Sequence, residues 1–476
     1  MSDSIAQPRA TTTPEAPATA PEDRQITVMP LGQTRRDAVG LLPRQLTGLP
    51  ADTIAGSDPA RLKALFAQQP VDALPAMQGV VLMLLLAEME PPQAAINPDA
   101  LFFARIDTLL RFGALDQAQA LMERAGATDQ AAFRRWFDIS LLTGFDTRAC
   151  AAMTANPGIA PTLQARIFCL SRTGDWAAAA LTLDTGRAIG AISEEEDRLL
   201  AHFLDPELFE GEPPPIPPRP MTPLAFRLLD GVGETPGTLD LPLAFAVSDL
   251  RPSIGWKAQI EAAERLTRVQ ALDPNRLLSL YTEQRPSASG GVWERARAVQ
   301  TLDAALLSGQ SQAVANALPS AVARMKAAGL MVPFARFYGA RLAQIELPGT
   351  AANLALRVGL LSPDYENVAR RARQSDMALQ ARDAFAIAVA LGDYGAAHGG
   401  DPLHQAIADG LTTDAPAPLL RLAQDGRLGE ALLEAALLLK GGAASDPEDI
   451  VDALALLKAA GLVDVARRAA LQMLLT

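Results

Sequence analysis

Gly392-Asp-Tyr394-Gly-Ala-Ala397, Gly426-Arg-Leu428-Gly-Glu-Ala431 and Gly461-Leu-Val463-Asp-Val-Ala466 share one pattern. Each is Gly-x-Φ-x-x-Ala, with Φ a large, mainly apolar residue. Their glycines lie 34 and 35 residues apart, the period of a two-helix repeat. The physical logic is local. Glycine takes the left-handed conformation that stops one helix. The residue two positions on anchors the next helix, and the small Ala one turn later lets two backbones approach. Looser copies stand at Gly113-Ala-Leu115-Asp-Gln-Ala118 and Gly174-Asp-Trp176-Ala-Ala-Ala179, 61 residues apart. The pattern therefore reads as a hairpin-packing device, evenly spaced only toward the C-terminus.

The composition agrees. Hydrophobic residues make up 49% and aromatics 5% of 476 residues. A core drawn mainly from Ala, Leu and Val favours helix, since Ala and Leu are strong helix formers. From Asp99 to Leu110, apolar residues at 102, 103, 106, 109 and 110 form a helical stripe. Asp58-Pro59 and Asp446-Pro447 read as helix starts, with Asp as the cap and Pro in the first turn. No stretch alternates like a strand. The expected fold is all-α, built of stacked helical hairpins with a disordered N-terminal arm.

Four segments are expected. Residues 1–57 form a disordered or extended arm, rich in Thr, Pro and Ala at its start. Residues 58–205 form an N-terminal helical-hairpin domain. Residues 206–240, containing Glu212-Pro-Pro-Pro-Ile-Pro-Pro-Arg-Pro220, form a Pro/Gly-rich linker. Residues 241–476 form a C-terminal helical domain. Within it, Gln312–Leu318 and Ser320–Ala328 read as separate helices divided at Pro319.

The hairpin pattern resembles tetratricopeptide-type repeats over about a third of the chain, most regularly from about residue 386. The resemblance implies an α-solenoid, a superhelix whose concave face holds a protein or peptide. In texture the helical run also resembles the α-superhelix of soluble lytic transglycosylases. Gly329-Leu-Met-Val-Pro333 lacks the Gln of that family's Gly-Leu-Met-Gln stretch, however, and no Glu-Ser motif precedes it. That likeness implies no catalytic site.

Little else speaks of chemistry. His398 and His404 lack the spacing of a helical zinc pair, and His202 stands apart. No phosphate-loop, dinucleotide or nucleophile-elbow motif occurs. Ser289-Gly290-Gly291 reads as a turn. Glu194 to Asp197 follow Ser193 as a capped helix start. Cys150 and Cys169 read as two small buried hydrophobes, the alternative being a disulfide between neighbouring helices, which would imply an oxidising compartment. No catalytic residue, cofactor or metal is expected.

A net charge of −12 argues against nucleic acid and for a basic or amphipathic protein partner. Arg370, Arg371, Arg373 and Arg382 form the one basic cluster in sequence, a candidate for binding an acidic segment. The most apolar run, Val80 to Ala87, is too short to span a bilayer, so a cytoplasmic location is expected, with a periplasmic or envelope-associated one as the alternative. The expected function is a non-enzymatic scaffold for protein–protein interaction. The alternatives are an envelope accessory factor for cell-wall or surface-appendage assembly, and an enzyme with an unrecognised site.

Overall fold

The computed structural model describes residues 35–93, 99–126, 129–375, 379–396 and 401–476. The start of the expected disordered arm, up to residue 34, lies outside them, as do Ala397 and His398. Among the described residues every regular element is a helix, with a single isolated bridge between Leu42 and Ala87.

In chain order the helices are α1 (Arg44–Thr47), α2 (Pro59–Gln68), α3 (Pro75–Leu86), α4 (Ala100–Arg111), α5 (Leu115–Arg124) and α6 (Gln130–Thr143). Then come α7 (Asp146–Ala155), α8 (Leu163–Arg172), α9 (Trp176–Ala188), α10 (Glu194–Leu204), α11 (Pro223–Gly231) and α12 (Trp256–Arg268). Next are α13 (Pro274–Glu283), α14 (Gly291–Ser308), α15 (Ser311–Ala327), α16 (Met331–Leu342), α17 (Gly349–Leu360) and α18 (Tyr365–Gln374). The last six are α19 (Ala381–Leu391), α20 (Pro402–Thr412), α21 (Ala417–Gln424), α22 (Leu428–Leu438), α23 (Pro447–Ala459) and α24 (Val463–Leu475).

The local signals work as the chemistry requires. Asp58 and Asp446 accept the amides of Ala60 and Glu448, with Pro in the first turn. The five signature glycines, 113, 174, 392, 426 and 461, all have φ between 68° and 89°, the region that suits glycine. Ala118, Ala179, Ala431 and Ala466 are fully buried. Trp176 departs from the expectation for the large residue: it is half exposed. Pro319 does not divide two helices, because α15 runs through it. The interior proline forgoes one backbone bond, and burial of Leu318, Ala321 and Val322 on either side holds the helix together.

Most helices pack against the next as hairpins, as in α8 with α9, α14 with α15 and α16 with α17. Beyond α19 the order changes. Helix α20 packs on α23, α24 reaches back to α19 and α3, and α22 lies against α2 and α3. Helices α2 and α3, early in the described chain, therefore meet α22 and α24 near its end.

The expected arm to residue 57 is folded from Arg35 onward. Arg105 in α4 is completely buried. Its guanidinium donates to the carbonyls of Leu85 (2.8 Å), Asp37 (3.2 Å), Val39 (2.8 Å) and Ala87 (3.0 Å). Asp37, also buried, accepts from the Phe102 amide at 2.7 Å. Its scattered apolar residues gave no helical period, so the sequence did not reveal this docking. The anchor is an arginine 48 or more residues further on. Burial pushes the Asp37 carboxyl up to about 6, against the lowering effects of the Phe102 amide, Arg35 and Arg105.

Residues Arg35–Thr476 form one compact unit. One apolar cluster runs from Leu49 to Leu475, and a second joins α6 to α11. Helix α11, inside the expected linker 206–240, packs on α6 and α10. The proline-rich stretch before it is a strap within that unit. Cys150 and Cys169, expected as separate buried thiols, are joined in a disulfide between α7 and α8. Both cysteines face the same hairpin interface, which brings their sulfurs together.

Candidate functional site

The four arginines singled out in the sequence are all exposed and differ in their partners. Arg370 is engaged by Glu366 at 3.1 Å and by Asn367. Arg373 faces Asp393 at 3.8 Å. Arg382 has no ion pair among the described residues. Its neighbour Asp383 is fully buried and is held bidentately by Arg357 at 2.7 and 3.0 Å. Arg371 borders a groove of about 670 Å³ beside α17 and α18 with Leu342, Ile345, Leu347, Leu356 and Val368. On α18, Arg370 and Arg373 lie one turn apart and are met by Glu366 and Asp393, while Arg371, about 100° round the helix from Arg370, borders the groove.

A more enclosed cleft lies between α6, α8, α10 and α11. Its volume is about 290 Å³. The walls are apolar: Phe137 from α6, Leu199 and Leu200 from α10, and Leu224 and Leu228 from α11. Ile216 and Pro218 of the proline strap close one side. Three helix N-termini border it. Thr162 caps α8 through the Ala165 amide at 3.1 Å, and Thr222 caps α11 through the Ala225 amide at 3.1 Å. Ser193 and Glu196 form a reciprocal capping box at the start of α10, as the acidic run implied.

Asp138 projects from α6 into this cleft, with Glu195 and Glu196 across from it and Arg134 one turn earlier. Asp138 makes no hydrogen bond or ion pair among the described residues. Burial pushes its carboxyl up to about 6, opposed by the charges of Arg134 and Arg135. Each helix terminus contributes only about half a positive charge, already met by its cap, whereas the carboxylates can each carry a full negative one. The cleft thus combines an apolar floor with acidic groups, a combination that suits a basic group on an apolar body. The sequence reading missed Asp138. Its signal was a lone acid between Phe137 and Ile139 in an otherwise apolar turn.

Among the described residues, no three His, Cys, Asp or Glu side chains converge to hold a metal. His202 stacks on Phe209 with ring centroids 4.0 Å apart, and His404 lies against Phe385 at 4.7 Å. No helix of the described residues is long and apolar enough to cross a membrane. No protein-family model matches the chain, and neither curated proteins nor solved structures show significant similarity to it.

Proposed function

We propose that this protein is a non-enzymatic assembly scaffold, an α-solenoid-like stack of helical hairpins that holds a basic, amphipathic segment of a partner protein. The observation that carries this reading is the α6–α11 cleft, where the unpaired carboxyl of Asp138 faces an apolar groove walled by the strap. Desolvating an acid without a partner costs stability, and a bound cation offsets that cost. A photoreactive residue in place of Ile216, which is 82% exposed on the strap, tests the reading directly. Crosslinking in the host should yield one discrete adduct, absent from a control at exposed Leu307 and lost in Asp138→Arg. No adduct, or the same adduct from Leu307, overturns the reading.

A second reading places the scaffold in the cell envelope, as an accessory to wall or appendage assembly. The Cys150–Cys169 disulfide supports it, because structural disulfides persist in oxidising compartments. Alkylation in intact host cells before lysis tests it. Two freely alkylated thiols, together with a purely cytosolic fractionation, would remove it.

A further inference from the structure

A third cavity, separate from the α6–α11 cleft and the α17–α18 groove, opens between α3, the α12–α13 turn, α16 and α24. It has two adjoining lobes of about 360 Å³ each, which share Pro75, Gly79, Met83, Gln270, Val332 and Arg336. Volumes in this range hold small molecules. In a chain with a net charge of −12, its charged lining is mainly arginine.

Arg336 borders both lobes, is exposed and has no ion pair or hydrogen bond among the described residues. Arg268 borders one lobe. Its Nε donates to the Ala328 carbonyl at 3.0 Å, which leaves its terminal nitrogens unengaged. Arg468 is occupied, by Asp464 at 2.7 Å and by the carbonyls of Ser362 and Pro363. The one acid in the lining, Asp273, caps α13 by accepting the Asn275 amide at 2.7 Å.

Two further polar groups lack partners. Thr267 is 1% exposed, lines the cavity, and its Oγ1 has no hydrogen-bond partner. The buried Oε1 of Gln117, in the same lobe, also has none. Buried polar atoms are nearly always paired, so a lining that carries two unpaired ones is incomplete. Gln270 sits at the centre with φ 60°, the one non-glycine residue of positive φ among the described residues. At the end of α12 it occupies the position glycine usually fills, and its side chain donates to the Pro75 carbonyl at the start of α3. That conformation holds the floor of the cavity between two helix ends. The remaining wall is apolar: Leu82, Met83 and Leu86 on one side, Leu361 and Val465 on the other.

We infer that this cavity binds an amphipathic anion, a carboxylate or phosphate headgroup on a short apolar chain, with Arg336 and Arg268 on the headgroup. Arginine suits both headgroups because its planar donors match their oxygens. Gly79 supplies the blocking variant. A Cβ built there meets nothing closer than 3.8 Å, the Gln270 amide oxygen. A larger side chain in the middle of α3 therefore points into the cavity without crowding the helix, and replacing glycine favours the helix.

Calorimetric titration of the full chain with octanoate and with octyl phosphate tests the inference, with octanol and inorganic phosphate as controls. At least one amphipathic anion should bind saturably, and the two arms tell a carboxylate site from a phosphate site. Octanol and inorganic phosphate should each bind at least about tenfold more weakly, a loss readily resolved. Arg336→Gln should weaken binding by a similar factor, and Gly79→Leu should abolish it while keeping the wild-type helical circular-dichroism spectrum. Should Gly79→Leu misfold, Val332→Phe serves as a second block. No saturable binding of either anion, or equal binding by wild type, Arg336→Gln and the blocking variant, overturns the inference.

Discussion

The amide of Gly56 donates to the carbonyl oxygen of Gly426 across 3.0 Å. A few residues on, the Gly429 amide donates to the Thr53 carbonyl at 2.8 Å. The second signature glycine therefore does two jobs: its φ of 68° ends α21, and its carbonyl receives the segment that precedes α2. Hairpins stacked by nearest neighbours alone would leave both ends open. Here the segment before α2 covers the start of α22.

Gly429→Ala should disrupt this seam. A Cβ there would stand 2.5 Å from Ile54 Cγ2 and 3.3 Å from the Thr53 carbonyl. Alanine is better than glycine in a helix by about 1 kcal/mol, but overpacking costs about 1–3 kcal/mol. Net destabilisation in urea denaturation is expected, and the same substitution should cost less in an Ile54→Ala background, where the clash is gone. A stabilised Gly429→Ala single variant would mean that the seam yields freely.

Arg105→Leu should destabilise the fold by about 3–5 kcal/mol, the usual cost of breaking a buried charged network. It strips four carbonyls of their donor and leaves Asp37 with Arg35 as its nearby cation. Asp37 also predicts a pH dependence. Its carboxyl is raised from 3.8 to about 6 in the fold, so the native state takes up the proton at higher pH than the unfolded chain. Its stabilising contribution is fully present below 3.8 and is lost as pH rises through about 6. Asp37→Asn should flatten that part of the stability–pH curve.

Removing the disulfide with Cys150→Ala and Cys169→Ala should lower stability by about 3 kcal/mol on the chain-entropy scale for a loop of this length. The separation of the two cysteines is 19 residues. Thermal melts with and without reductant check it: reductant should shift the wild type downward and leave the double variant unchanged.

Asp138→Leu should raise the melting temperature while abolishing the Ile216 crosslink. The variant replaces a desolvated, unpaired acid with an apolar side chain in an apolar cleft, a gain on the order of 1 kcal/mol. Stability bought at the expense of binding is the expected signature of a functional residue. A variant that is more stable yet still captures the partner would assign Asp138 no role in binding.

Much of the helical framework was legible. Capping by Asp58, Ser193 and Asp446, and the left-handed glycines at 113, 174, 392, 426 and 461, depend on a few neighbouring residues, so local reading found them. Pro319 was misread because its cost is also local, whereas burial of Leu318 and Val322 outweighs it from outside the segment. The arginines 370, 371 and 373 were legible as a group in sequence, whereas the facing of Arg373 by Asp393 was not, because that contact joins separate segments.

The sequence by itself determined that this chain is helical, where most of its helices stop, and how small residues let neighbouring helices approach. These follow from backbone preference and a 3.6-residue period, which act over one or two turns. The tertiary structure alone decided that residues 35–57 dock, that Arg105 holds them, and that Cys150 meets Cys169. It also decided that Asp138 and Arg336 each face a cavity. Those outcomes depend on contacts between segments far apart in the chain, and no local period records which distant surface a side chain will meet.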